Sequence, residues 1–180
     1  MIKKKYNIEE YPFIELVKSV YEIKNLSKLH IYRGDFPPSQ SQLWAQESNT
    51  TFHKLFYEKL NQDGPFSWAD KDHQHPDGEI NFQIALTEMK KTYCTWVEPV
   101  PGCNYYVPLE MSPGEFYIFN GNKCTHGNKN NISELTRISL DFRVIPVSAL
   151  KENKTLNKTA TTKVSFAPGG YYKERVYNVK

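Results

Sequence analysis

Two short segments constrain this chain more than anything else in it. In "EINFQIALT", residues 79–87, Ile80, Phe82, Ile84 and Leu86 alternate with Asn81, Gln83, Ala85 and Thr87. In "TRISLDFRV", residues 136–144, Ile138, Leu140, Phe142 and Val144 alternate with Arg137, Ser139, Asp141 and Arg143. Successive side chains on an extended strand point to opposite faces, so a period of two makes each segment a strand with one apolar and one polar face. The polar face of the late strand then lies either in solvent or along the mouth of a barrel.

Further strand-like pieces are "YCTWVEP", "YYVPLEM" and "EFYIFN", separated by "PVPGCN", "SPGE" and "GNKCTHGNKNN". Short strands punctuated by Pro, Gly and Asn predict a two-sheet β fold. Among such folds the double-stranded β-helix, the cupin or jelly-roll architecture, matches best. Ahead of the strands, residues 8–25 place Phe13, Ile14, Val17, Val20 and Tyr21 at helical spacing. Residues 40–60 offer a second helix through Trp44, Phe52, Leu55, Phe56 and Leu60, which "NQDGP" ends. "KENKTLNKTATTK" has no packing face and reads as a loop or lid. The tail "FAPGGYYKERVYNV" has enough aromatics to pack back on the body. The expectation is one mainly β domain over 1–180: a helix-rich front over 1–62, a jelly-roll core over 63–147, and a polar loop and tail over 148–180.

A chain of 180 residues suits one domain with a real core. Its 23 basic and 20 acidic residues nearly balance, which argues against a nucleic-acid partner. "KKK" at 3–5 reads as a solvated N-terminus. Cys94, Cys103 and Cys124 have no CxxC spacing, and an odd count argues against a disulfide framework. The chain has neither a signal-like apolar run near its start nor a stretch of membrane-spanning length. A cytoplasmic protein with no membrane partner is therefore expected. The Asn-x-Ser/Thr triplets at Asn49, Asn131, Asn153 and Asn157 read as ordinary Asn- and Thr-rich composition.

The chemistry-bearing residues cluster in "DHQHPDGE", residues 72–79, and again downstream. Two histidines and one carboxylate leave open positions on Fe(II) for a co-substrate and O₂. His75-Pro76-Asp77 is a His-x-Asp pattern, whose alternate residues share one side of an extended segment. His126 supplies a second imidazole. Arg137, with the Ser139 hydroxyl two residues on, fits the far carboxylate of a dicarboxylate. Against this stand plainer readings: a polar turn before a strand, a solvent-facing His in a Gly/Asn loop, and a strand with one wet face.

"GEINFQIALT", "TWVEPVPG", "SPGEFYIFNGNKCTHGNKNN" and "TRISLDFRVIP" together resemble the streptomycin-biosynthesis StrG-like proteins, which resemble cupin-type Fe(II)/2-oxoglutarate oxygenases. The resemblance covers roughly residues 65–147. It implies Fe(II), 2-oxoglutarate and O₂, and oxidation of a small molecule such as a sugar, aminocyclitol or amino acid. It makes His126 the distal iron ligand, sets Arg137 and Ser139 on 2-oxoglutarate, and places Asn81 and Gln83 near co-substrate or substrate. Aligned on "GEINF", however, the family's His-x-Asp falls on Trp68-Ala69-Asp70. Three outcomes follow: the clasp has moved to His75 and Asp77; Asp70 stays a ligand and His73 or His75 supplies the nitrogen; or the site is lost. The first is the expectation, with Asp70 as its rival. Tyr93, Trp96, Tyr105 and Tyr106 either line a substrate pocket or pack the sheet. Glu98 is a weaker substrate contact, and Cys124 packs rather than ligates. A cupin-type metal enzyme without 2-oxoglutarate and a non-catalytic jelly-roll module are the alternatives, and pairing of jelly-roll edges would give a homodimer.

Overall fold

The computed structural model describes residues 1–21, 24–28, 66–68, 75–129, 131–153, 158–159 and 163–174. In chain order these form β1 (Ile2–Lys5), α1 (Phe13–Tyr21), β2 (Phe66–Trp68), β3 (Ile80–Ala85), a 3₁₀ turn (Lys91–Tyr93), β4 (Thr95–Val97), β5 (Val107–Pro108), β6 (Glu115–Phe119), β7 (His126–Asn128), β8 (Ser139–Val144) and α2 (Val147–Glu152). The strands make two four-stranded sheets, ordered β1-β6-β3-β8 and β2-β7-β4-β5. Every pairing between them is antiparallel. The protein is thus mainly β.

The two alternating segments become β3 and β8 and pair directly. Phe82 lies opposite Phe142 and Ile84 opposite Leu140, while on the other side β6 sets Ile118 and Phe116 against the same two residues. Directly opposed residues share a face, so three strands build one apolar surface. At one end α1 and the N-terminal segment cover it, where Tyr6, Phe13, Ile14 and Val17 pack on Leu26, Ile84 and Leu86. At the other end Phe82 stacks on Phe142 with centroids 4.9 Å apart, and Ile80, Phe142 and Val144 are exposed.

The polar face of β3 turns the opposite way, into the protein. Asn81 and Gln83 are each 5% exposed and Ala85 is fully buried. Ala85 belongs to the main core with Met89, Cys94, Val97, Leu109, Met111, Phe119 and Cys124, drawn from both sheets. A third cluster packs Leu150 of α2 on Phe166 and Tyr172 of the tail, beside Ile145 and Tyr171.

Two expectations change. The N-terminal lysines are not merely solvated: β1 is an edge strand on β6, and Lys3 Nζ lies 2.7 Å from Glu115. Charged side chains suit an edge, where they discourage further strand pairing. His126 lies not in a loop but on β7, whose three residues carry no apolar alternation and are ordered by pairing to β2 and β4. The helix expected over 40–60 lies outside the described residues. Among the described residues no helix is long and apolar enough to cross a membrane.

Candidate functional site

A cavity of about 250 Å³ opens between the two sheets. Asn81, Gln83, Thr95, His126, Asn128 and Arg137 are the polar residues along its inner wall, and Asp141 and Arg143 of β8 also line it. The strand period explains this lining: the inward positions of β3 are Asn81 and Gln83, and Thr95 and Asn128 lie directly opposite each other on β4 and β7.

Thr95 is the hub. Its hydroxyl accepts from Gln83 Nε2 at 3.0 Å and from Arg137 Nη1 at 3.0 Å, and donates to Asn128 Oδ1 at 3.4 Å. Arg137 Nη1 also donates to Asn128 Oδ1 in a short bond. The guanidinium is therefore oriented by two neutral oxygens from the opposite sheet. Gln83 Oε1 is buried with no hydrogen-bond partner. The Asn81 carboxamide accepts from Gly121 N at 3.2 Å. A Cβ on Gly121 would lie 2.5 Å from Asn81 Nδ2, so only glycine allows this approach.

His126 Nδ1 lies 3.0 Å from the Cys124 carbonyl, which can only accept. Nδ1 therefore carries the proton, and in the neutral ring Nε2 carries the lone pair. Its ring meets Phe119 of the facing sheet edge-on at 5.5 Å.

His75 and Asp77 are not part of this arrangement. His75 Nδ1 donates to Glu79 Oε2 at 2.7 Å, and its ring packs 4.5 Å from Phe166 and 5.6 Å from Tyr171. The Glu79 side chain is fully buried, with Arg143 Nε 3.5 Å from its other oxygen. Arg143 Nη1 donates to Tyr171 Oη at 3.1 Å. Burial, and then the charge of Glu79, push the Tyr172 phenol far above its ordinary range. The Asp77 side chain is 72% exposed and faces Lys123 at 3.7 Å. Asp77 leaves the site because its backbone is tied to Asn153, whose carboxamide meets both Asp77 N and O at 3.2 Å. Among the described residues no group of three His, Cys, Asp or Glu is gathered to hold a metal ion, so His75, Asp77 and His126 are not one site. His73 and Asp70 lie outside the described residues.

The backbone does mark another position. Residue 68 is the direct cross-strand partner of His126. The strand on which the resemblance places its first ligand thus runs beside the second, with Trp in the first ligand's place.

Other residues separate cleanly. Ser139 donates to Asp141 Oδ2 at 2.8 Å and does not join Arg137 on the cavity wall. Glu98 is 2% exposed and accepts from the N–H groups of Gly102, Asn104 and Thr125. Burial raises its carboxyl, but these N–H donors outweigh it and hold the group below the usual range. Glu98 is a loop clamp rather than a substrate contact. Burial pushes the Cys94 thiol up to about 11 and raises that of Cys124 as well; both pack in the main core and neither lines the cavity. None of Tyr93, Trp96, Tyr105 and Tyr106 lines the cavity; Trp96 instead packs on the main core under the ammonium of Lys129. Thr95, Asn128 and Glu79 escaped the sequence reading. The only trace of Thr95 and Asn128 was a polar residue beside Trp96 and another two positions after His126. Asn122 escaped too: it is 1% exposed and donates to the carbonyls of His75 and Pro76.

Fold and site together define an antiparallel β protein with a polar, arginine-bearing cavity between its sheets. No protein-family model matches the chain. It is similar to the streptomycin biosynthesis protein StrG of Streptomyces griseus, 23% identical over 206 residues, spanning 93% of this chain and 95% of that protein.

Proposed function

We propose that this chain is a jelly-roll protein of the cupin type that serves in the biosynthesis of a small polar metabolite. In this reading it takes a carboxylate in the cavity between its sheets, 2-oxoglutarate being the first ligand to test. The observation that carries the proposal is the Arg137 guanidinium on the cavity wall, oriented by Thr95 and Asn128. A guanidinium anchored at Thr95 and Asn128 presents its N–H groups in a fixed plane, which suits a carboxylate. His126 and Asn81 line the same cavity and supply a donor or acceptor and an amide beside it.

Calorimetry with 2-oxoglutarate and succinate tests this reading. Binding is expected, and Arg137→Ala is expected to weaken it at least about tenfold, as loss of a charge-assisted pair does. Absence of binding, or binding indifferent to Arg137→Ala, would overturn it. Bound ligand at a hundredfold excess over Kd should add about 2.7 kcal/mol to stability.

Among the described residues no three His, Cys, Asp or Glu gather to hold a metal ion, and His126 supplies the imidazole of the cavity wall. An Fe(II)/2-oxoglutarate-dependent oxygenase using O₂ is the second reading, and one observation favours it. Residue 68, two positions before Asp70 in the sequence, pairs with His126 in the β2–β7 ladder. This reading takes His126 and Asp70 as metal ligands and Arg137 for the co-substrate carboxylate. Anaerobic titration with Fe(II) decides it. Stoichiometric binding lost in both Asp70→Ala and His126→Ala supports it, and no metal uptake sinks it while leaving the carboxylate reading intact.

A further inference from the structure

The cavity wall holds a second recognition element besides Arg137. Gln83 and Arg137 both donate to one oxygen, Thr95 Oγ1, each at 3.0 Å. Their head groups are therefore neighbours. Gln83 uses its Nε2 in that bond, and its Oε1 has no partner although the residue is 5% exposed. A buried acceptor left without a donor forfeits the hydrogen bonds it made to water in the unfolded chain. Native proteins rarely tolerate this unless something else satisfies the group. Asp141 lies directly across the ladder from Gln83 and also lines the cavity, its carboxylate already accepting from Ser139. This end of the wall thus offers acceptors, while Arg137 offers donors.

We propose that Gln83 is a specificity residue that accepts a hydrogen bond from the ligand. The molecule held here then carries a hydroxyl or ammonium group close to its carboxylate, as hydroxy acids and amino acids do. The inference rests on the carboxylate reading above. A ligand lacking the donor leaves Gln83 Oε1 orphaned in the complex, whereas one bearing it removes the penalty, so discrimination follows from the unpaired state as much as from the bond formed.

Three probes of nearly equal shape separate the possibilities: succinate, L-malate and L-aspartate, titrated calorimetrically into the full chain. L-malate or L-aspartate is expected to bind about tenfold more tightly than succinate. In Gln83→Leu that ratio is expected to fall to within about threefold. Gln83→Glu keeps the shape and adds charge, so it is expected to favour L-aspartate further; this variant decides the matter should the leucine variant fail to fold. Equal affinities in the wild type would overturn the inference and leave Gln83 Oε1 to an ordered water. So would a ratio unchanged in Gln83→Leu, or, where only the glutamate variant folds, in Gln83→Glu. Succinate bound without preference overturns this inference alone. If none of the three binds while 2-oxoglutarate does, this inference alone falls; if 2-oxoglutarate fails as well, the carboxylate reading falls and this one with it.

Discussion

Two histidines stand at opposite ends of this protein's chemistry. His126 borders a polar cavity, with its Nδ1 on the Cys124 carbonyl and its ring edge-on to Phe119. His75 is packed among Phe166, Tyr171 and the buried carboxylate of Glu79. Both carry the same side chain, and in the sequence the His75 segment looked the more metal-like. His75 serves instead to join the entry to β3, through Glu79, to the C-terminal tail. Arg143 links the two regions, since it lines the cavity and also meets Glu79 and Tyr171. What is close in sequence has gone to stability; what is distant in sequence has been gathered at the cavity.

That contrast is breakable. The largest effect is expected from Phe166→Ala, which empties a fully buried aromatic site under the His75 ring. It should cost about 4 kcal/mol in urea unfolding. Glu79→Ala follows at about 3 kcal/mol, because it strands His75 and Arg143 around an uncompensated gap. A loss under about 1 kcal/mol in either would show that the tail is not integral to the fold. The two histidines then give the direct test. His75→Ala is expected to lose about 2 kcal/mol of stability, with ligand affinity changed less than about threefold. His126→Ala is expected to do the opposite, and a shared pattern would dissolve the distinction.

Glu98 sharpens the picture through pH. Its folded carboxyl sits below the unfolded value near 4.5, raised by burial but lowered more by N–H donors. Its contribution is therefore full above the unfolded value and lost as pH falls through the folded one. Glu98→Gln should be less stable than wild type at pH 7, and the gap should narrow as pH falls below about 4. A gap constant with pH would mean that the charge is irrelevant. The smallest effect belongs to Asp77→Ala. Its exposed pair with Lys123 at 3.7 Å should be worth no more than about 0.5 kcal/mol, and metal or carboxylate binding should not change.

Much of the fold could be read from alternation. The β3 and β8 segments, the helix at α1, the strand at β6 and the packing tail all carry local periodicity or composition strong enough to show alone. β2 and β7 do not. Three residues such as His126-Gly127-Asn128 have no pattern of their own, and their extended state comes from pairing partners far along the chain. The candidate site divides in the same way. Arg137, His126, Asn81 and Gln83 were visible as polar residues on strand faces or at a recognisable spacing. Thr95 and Asn128 were not, because their importance lies in meeting Arg137 across the sheets. His75 and Asp77 misled because spacing two apart guarantees a shared side only while the backbone stays extended. Here Asp77 falls in a turn with Gly78 at positive φ, which separates the two side chains.

The sequence alone determined that alternating segments would form strands with one apolar and one polar face, since side-chain alternation is a property of the extended backbone itself. It could not determine which face turns inward. The tertiary structure decided that, by covering much of the apolar face with α1 and the N-terminal segment and closing the second sheet over Asn81 and Gln83. A strand exposes equal area on both sides, so the choice depends on what else the chain brings to each. Only that choice made the polar residues a cavity wall.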